Sequence, residues 1–240
     1  MKRLFISDLH LQDPDSEIFR AFVDLMRAEA PLVNEIYILG DLVEMWVGDD
    51  DDSPCAQALG QTLNRASQHA QIFIVHGNRD FLFGDAFASA SGATILPDPY
   101  LLDGHILLSH GDQYCIDDEA YQQARVMLRS ESFQRDLLQR SLAERQALGK
   151  QMRAQSVEAN ANKSDQIMDV NLGAISQAMH DHDADILIHG HTHRPGVYPR
   201  RGASTFKRIV LGDWQDCGWL CRQDGDQWSL ECFGLTHYAI

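Results

Sequence analysis

Short apolar runs along the chain break off repeatedly into small clusters of Asp, His, Asn and Gly. Leu4-Phe5-Ile6 leads into Ser7-Asp8-Leu9-His10, and Ile36-Tyr37-Ile38-Leu39 into Gly40-Asp41. Ile72-Phe73-Ile74-Val75 leads into His76-Gly77-Asn78-Arg79-Asp80, and Ile106-Leu107-Leu108 into Ser109-His110-Gly111-Asp112. Ile186-Leu187-Ile188 leads into His189-Gly190-His191-Thr192-His193, and Ile209-Val210-Leu211 into Gly212-Asp213-Trp214. Runs this short, rich in Ile and Val and closed by glycine, read as buried strands. Between the early runs the period changes. Ile18, Phe19, Phe22, Leu25 and Met26 share one face of a helix predicted over about Ser16–Ala30, and a second helix is predicted over about Pro54–Gln68. Strand–helix–strand alternation predicts α/β architecture. Strand candidates at Gly218–Cys221 and Gln227–Phe233, around the turn Asp224-Gly225-Asp226, suggest a second sheet built from the tail.

The stretch from about Asp117 to Asp169 breaks this rhythm. It has almost no strand signal, and Leu128, Phe133, Leu137, Leu138, Leu142, Leu148 and Met152 recur at near-helical spacing. It reads as a helical insertion, residues 117–169, within a single domain 1–240, because no Pro/Gly-rich linker sets it apart. Its apolar residues suit either packing on the body or a groove for acyl chains that also touches a membrane surface.

Charge sharpens the contrast. The chain of 240 residues carries a formal charge of −15, yet Glu119–Asp165 holds eight basic against six acidic residues, so it is +2 and the remainder −17. An acidic body argues against nucleic acid as a partner, since phosphate backbones attract a basic face. No apolar run reaches the ~20 residues of a membrane span, and the start turns polar too soon for a signal peptide. The cysteines Cys55, Cys115, Cys217, Cys221 and Cys232 are odd in number and irregularly spaced. Reduced cytoplasmic thiols are the simplest reading.

In open α/β sheets, ligands bind beyond the carboxyl ends of the strands. Those ends carry Asp8, His10, Asp41, Asn78, His110, His189 and His191, from five separate segments and with no thiol among them. Carboxylate, amide and imidazole ligation suits Mn²⁺, Fe²⁺ or Zn²⁺. Residues two apart on a strand point the same way, so Asp8-x-His10 and His189-x-His191 can each serve one ion. Seven ligands exceed one small ion's needs and suit two, the arrangement that promotes in-line phosphoryl displacement. The run Asp49–Asp52 reads as a solvated loop, and Trp214 and His237 as structural. Arg153, Ser156, Asn160 and Lys163 fall on one polar helical stripe, either a solvated face or a phosphate-sugar site.

Asp8-x-His10, Gly40-Asp41, Gly77-Asn78, His110 and Gly190-His191-x-His193 resemble the calcineurin-type metallophosphoesterase signature. That resemblance implies an αββα sandwich of two packed mixed sheets flanked by helices. The family's last motif points to His191 and His193; a variant pattern with glycine between the two histidines points to His189 and His191. Where the wider superfamily has Gly-Asn-His, this chain has Gly77-Asn78-Arg79. Arginine does not deliver a proton but clamps phosphate, which fits a phosphate leaving group. Together with Val47-Gly48-Asp49-Asp50-Asp51, Asp117-Asp118-Glu119-Ala120-Tyr121-Gln122 and Ile167-Met168-Asp169-Val170, the chain resembles the UDP-2,3-diacylglucosamine pyrophosphohydrolases of lipid A synthesis along almost its whole length.

The resemblance implies metal ligands Asp8, His10, Asp41, Asn78, His110, His189 and His191 for two Mn²⁺ or other divalent ions, with Asp41 shared. It implies substrate contacts from Asn78, Arg79, Asp118, Ser156, Asn160, Lys163 and His189, with Arg79, Asp41 and His189 central to catalysis. The implied substrate is an acylated sugar nucleotide, cut at the phosphorus next to uridine. The expected protein is a monomer, peripheral on the cytoplasmic face of the inner membrane through the insertion. A phosphodiesterase or phosphatase with the same site, and a scaffold without activity, are the alternatives; the presence of all seven ligands weighs against the scaffold.

Overall fold

The computed structural model describes residues 1–161, 167–199 and 206–236, with Asn160 and Ala161 by backbone alone. In chain order the body begins β1 (Lys2–Ile6), α1 (Glu17–Glu29), β2 (Glu35–Leu39), α2 (Pro54–Ser67), β3 (Gln71–Val75), α3 (Asp85–Ser91) and β4 (Ala93–Leu96). It continues β5 (Tyr100–Leu102) and β6 (Ile106–Ser109), then the helices α4 (Glu119–Leu128), α5 (Glu131–Leu138), α6 (Leu142–Ala161) and α7 (Leu172–Asp181). The last strands are β7 (Ile186–His189), β8 (Gly196–Tyr198), β9 (Lys207–Val210), β10 (Gly218–Asp224) and β11 (Gln227–Phe233). All six apolar runs are strands, and the two early helices lie within a residue or so of their expected ends. Ser16 and Ser53 explain this, because each side chain caps its helix by accepting a backbone N–H.

One sheet has the order β11-β10-β1-β2-β3-β4, the other β5-β6-β7-β9-β8. Strands β1 to β4 are mutually parallel, and β10 joins β1 antiparallel. The tail strands therefore extend the first sheet and do not build the second, contrary to the sequence expectation. The second sheet comes from residues 100–210, including β5 and β8, which are only three residues long and were not among the expected strands.

Period-two alternation sorts the side chains into layers. Leu4, Ile6, Ile36, Ile38, Ile72 and Ile74 face the core shared with α1, α2 and α3. Phe5, Tyr37, Leu39 and Val75 face the other way and meet Leu108, Ile188 and Ile209 of the second sheet. Leu107 and Leu187, on the far face of that sheet, pack on Ile175 and Met179 of α7. The result is helix, sheet, sheet, helix, an αββα sandwich. Its parallel strands end together along one edge.

Helices α4, α5 and α6 lie over that edge, and four arginines of this segment reach down to three loops of the body. Arg125 Nε lies 2.8 Å from Asp112 Oδ2. Arg129 Nη2 donates to the Gly77 carbonyl at 2.9 Å. Arg145 donates to the Val47 carbonyl and to both carboxylate oxygens of Asp50. Arg153 Nε pairs with Glu44. The acidic run beginning at Asp49 is thus absorbed into the fold, and only partly a solvated loop. Asp49 accepts the N–H groups of Gly84 and Phe87 at the start of α3, and Asp51 accepts that of Ser53. Trp214 is buried at 1% exposure and donates its indole N–H to the Trp219 carbonyl. His237 lies outside the described residues.

Candidate metal centre and active site

The strand ends converge through backbone conformations that strand geometry alone does not supply. Asp8, His10, Asp41, His191 and His193 all have positive φ, from 50° to 66°. Non-glycine residues in this region are strained and collect at functional sites. The expectation that Asp8 and His10 share a strand face is therefore corrected: both lie beyond β1, and left-handed turns aim them inward. Close approach of the loops also requires glycine at two points. A Cβ at Gly77 would overlap the Asp41 backbone and carboxylate, and one at Gly190 would overlap Asp8 and Ser7.

Two groups of donors result. In the first, His193 Nε2 is 3.4 Å from Asp8 Oδ1, and His10 Nε2 is 3.5 Å from His193 Nε2. In the second, His110 Nε2 is 3.0 Å from Asn78 Oδ1 and 3.2 Å from His191 Nδ1. Asp41 stands between them, Oδ2 at 3.9 Å from His10 Nε2 and Oδ1 at 3.7 Å from His110 Nε2. Asp8, His10 and His193, and likewise Asp8, Asp41 and His110, each offer atoms within 4.8 Å of one another.

This departs from the expected set at one residue. His193, not His189, completes the group around Asp8 and His10. His189 is the last residue of β7 and fully buried; its Nδ1 lies 2.9 Å from the Gly190 carbonyl, and it belongs to neither group. Glycine spacing looked alike in the two readings, but positive φ at His191 and His193 turns those two side chains inward together.

The donor set fits divalent cations. Asp8 Oδ1 is buried with no hydrogen-bond partner. Imidazole nitrogens face one another in both groups, which leaves lone pairs that a cation satisfies. All donors are oxygen or nitrogen, as Mn²⁺, Fe²⁺ or Zn²⁺ prefer. The electrostatics agree. Burial opposes charge on His110, but Asp41, Asp8 and Asp112 outweigh it and raise its pKa to about 9. Burial also opposes ionisation of Asp8, yet His193, His110 and His10 hold it below the usual carboxylate range. Burial, followed by the neighbouring His110, pushes His191 down to about 4. Imidazole must be neutral to ligate, so a cation displaces the proton that His110 otherwise keeps.

Asp80 supports the site from behind. Fully buried, it accepts the Gly77 and Leu42 N–H groups, each at 2.7 Å, and so ties two ligand loops together. Burial, then the charge of Asp41, raises its pKa to about 6. Its place in Gly77-Asn78-Arg79-Asp80 was visible in the sequence, but its role was not. Tyr121 was missed likewise; its ring lies 5.9 Å from that of His191, and its hydroxyl donates to Asp112 at 2.6 Å.

A cavity of about 540 Å³ opens beside the metal groups, between the body and helices α4 to α6. Asn78, Arg79, Tyr121, Arg153 and Ser156 line it, with an apolar wall that includes Trp46, Phe81, Leu128, Phe133 and Met152. Arg79 donates its backbone N–H to Asp41 Oδ1 at 2.8 Å, while its buried Nε has no partner among the described residues. Of the expected substrate contacts, the cavity gathers Asn78, Arg79 and Ser156. Asp118 does not line it; its carboxylate caps α4 by accepting the Tyr121 N–H. His189 does not line it either. The Asn160 side chain and Lys163 lie outside the described residues.

Comparison with known proteins identifies the family. Residues 1–195 match the family of calcineurin-like phosphoesterases. The chain belongs to that family. It is also 42% identical over 235 residues, 96% of both chains, to UDP-2,3-diacylglucosamine hydrolase of Hahella chejuensis. The protein of the same name from Cellvibrio japonicus is 42% identical over 224 residues, covering 91% of this chain and 93% of the relative. That from Pseudomonas fluorescens is 40% identical over 238 residues, 97% and 95%. The chain is thus a member of the UDP-2,3-diacylglucosamine hydrolase group of calcineurin-like phosphoesterases. Among solved structures, a Vps29 mutant from Entamoeba histolytica aligns with a TM-score of 0.49 at 14% identity over 98% of this chain and all of its own.

Proposed function

We propose that the protein hydrolyses the pyrophosphate bond of UDP-2,3-diacylglucosamine, giving 2,3-diacylglucosamine 1-phosphate and UMP. The observation that carries this reading is the adjacency of two chemistries: Arg79, with its buried unpartnered Nε, sits where the donor groups meet an apolar cavity of about 540 Å³. A phosphate reacting centre and an acyl tail need these two environments side by side. The relatives named for this substrate support it.

The residues would act as follows. Asp8, His10, Asp41 and His193 hold one cation, and Asp41, Asn78, His110 and His191 hold the other, with Asp41 shared. Mn²⁺ is the proposed ion for both. Bound there, the pair supplies Lewis acidity and a water of lowered pKa. Arg79 clamps the phosphate and carries the charge that develops on its oxygens. It need not donate a proton, because the departing sugar phosphate is a stable anion. Ser156, with Asn160 and Lys163 beyond it in sequence, receives the sugar head, and the apolar wall receives the acyl chains. Helices α4 to α6 serve as a lid.

No helix among the described residues is long and apolar enough to cross a membrane. Val126, Met127, Leu138 and Val157 are nonetheless exposed on α4, α5 and α6. We assign this face to contact with the cytoplasmic leaflet where the substrate resides, with the protein acting as a monomer. The test is release of UMP from the diacylated sugar nucleotide by purified, Mn²⁺-loaded protein. Asp41→Ala should abolish release, by ~10³-fold or more, with an unchanged circular dichroism spectrum. No release from the wild-type protein, alongside hydrolysis of a simple phosphodiester, would overturn the substrate assignment.

A further inference from the structure

Three of the four imidazoles in the donor groups have an oxygen against the nitrogen that faces away from the cluster. His110 Nδ1 lies 2.9 Å from the Leu39 carbonyl. His193 Nδ1 lies 3.6 Å from Asp213 Oδ2. His10 Nδ1 lies 3.2 Å from Glu44 Oε2. The first is a hydrogen bond and the other two are ion-pair contacts; an oxygen so placed favours the proton on the outward nitrogen and leaves the inward one free to ligate.

Glu44 differs from the other two because it is held from a second direction. The backbone sets its position first. Beyond β1 and β2 the chain runs on as two parallel segments, with the His10 N–H donating to Asp41 O, the Leu11 N–H to Leu42 O, and the Glu44 N–H to Leu11 O. Leu11 and Val43 form a bridge within this extension. That ladder brings Glu44 alongside His10 although 34 positions separate them. From the cavity side, Arg153 of α6 pairs with Glu44 Oε1, leaving Oε2 to His10. The Glu44 side chain is 13% exposed, so it is largely screened from water. Glu44 and Arg153 both line the cavity beside Arg79.

We propose that Glu44 is a positioning residue of the metal site: it orients His10 through Nδ1 and is itself braced by Arg153 of the helices that cover the site. The inference rests on the assignment of His10 as a metal ligand. It makes one carboxylate the mechanical link between α6 and a ligand. Displacement of α6 is then felt at the cation that His10 holds.

The experiment is titration of Mn²⁺ into metal-free full-length protein, read calorimetrically and as the rise in melting temperature, without substrate. Glu44→Ala should weaken the tighter or the weaker of two Mn²⁺ sites by about tenfold to a hundredfold, the range for removing such a partner. Glu44→Gln, which keeps an oxygen beside Nδ1 but removes the charge, should recover part of that loss, and it covers the case in which the alanine variant does not fold. Arg153→Ala should weaken Mn²⁺ only a few-fold, and no further when combined with Glu44→Ala. His10→Ala serves as the control. If His10→Ala loses a site while Glu44→Ala and Glu44→Gln both bind as wild type, the positioning role is overturned and the metal assignment stands. If His10→Ala also binds as wild type, the metal assignment itself fails.

Discussion

His193 Nε2 stands 3.4 Å from Asp8 Oδ1, joining the loop after β7 to the end of β1. This contact decides which histidines of His189-Gly190-His191-Thr192-His193 serve the site. His193→Ala should leave the protein with one tightly held Mn²⁺ where wild type holds two, measured by metal analysis after gel filtration. His189→Gln should retain both. If His189→Gln loses a metal and His193→Ala does not, the assignment made from geometry is reversed.

Arg79 is assigned to the phosphate because its buried Nε has no partner in the described fold. Arg79→Lys keeps the charge but loses the planar two-pronged donor. It should lower kcat/KM by one to two orders of magnitude, roughly 1.4–2.8 kcal/mol. Mn²⁺ content should stay at the wild-type level, since no guanidinium is a ligand. Unchanged kcat/KM would remove Arg79 from the reaction.

Asp98 offers a test by pH. Burial, and then the charge of Asp112, raises its pKa to about 6. The folded protein therefore keeps a proton on Asp98 that the unfolded chain releases above about pH 4, and stability falls as pH rises from there to about 6. The cost is fully present at pH 8 and absent below pH 4. Asn accepts the same bond from Ser109, which reaches Asp98 Oδ1 at 2.7 Å. Asp98→Asn should thus raise the melting temperature at pH 8 by an amount corresponding to about 3 kcal/mol, with the gain gone near pH 4. An equal gain at both values would show that titration is not its source.

Membrane contact is assigned to the exposed apolar residues of α4 to α6. Four arginines of this segment are engaged with the body, at Asp112, Gly77, Asp50 and Glu44. The +2 charge read from sequence is therefore mostly spent inside the molecule, and attraction to anionic headgroups is the smaller part. Val126, 71% exposed, and Met127, 53% exposed, should carry more. Their joint replacement by Ser should reduce sedimentation with lipid vesicles about tenfold or more, given ~1.5–3 kcal/mol per buried apolar side chain. Raising salt to 0.5 M should reduce it far less. The opposite ranking would return the role to charge.

Alternation and composition determined a great deal alone. Each apolar run that ended in Asp, His or Asn is a strand, because a side chain pattern of period two or a continuous buried run leaves the backbone few other ways to hide itself. Gly40-Asp41, Gly77-Asn78 and Asp8-x-His10 were legible as a site because ligand types recur at successive strand ends. The sheet joined by β10 was not legible, since strand pairing depends on partners far away in sequence, and local pattern is the same for either sheet. Nor was the preference for His193 over His189. It follows from left-handed φ at His191 and His193, a strain that only the surrounding loops enforce. Glu44 carries no signal in the sequence, and of the four arginines only Arg153 stands out there, on the polar stripe with Ser156. Only tertiary structure gives each of them a partner, because 13 to 109 positions of chain must be closed before they meet.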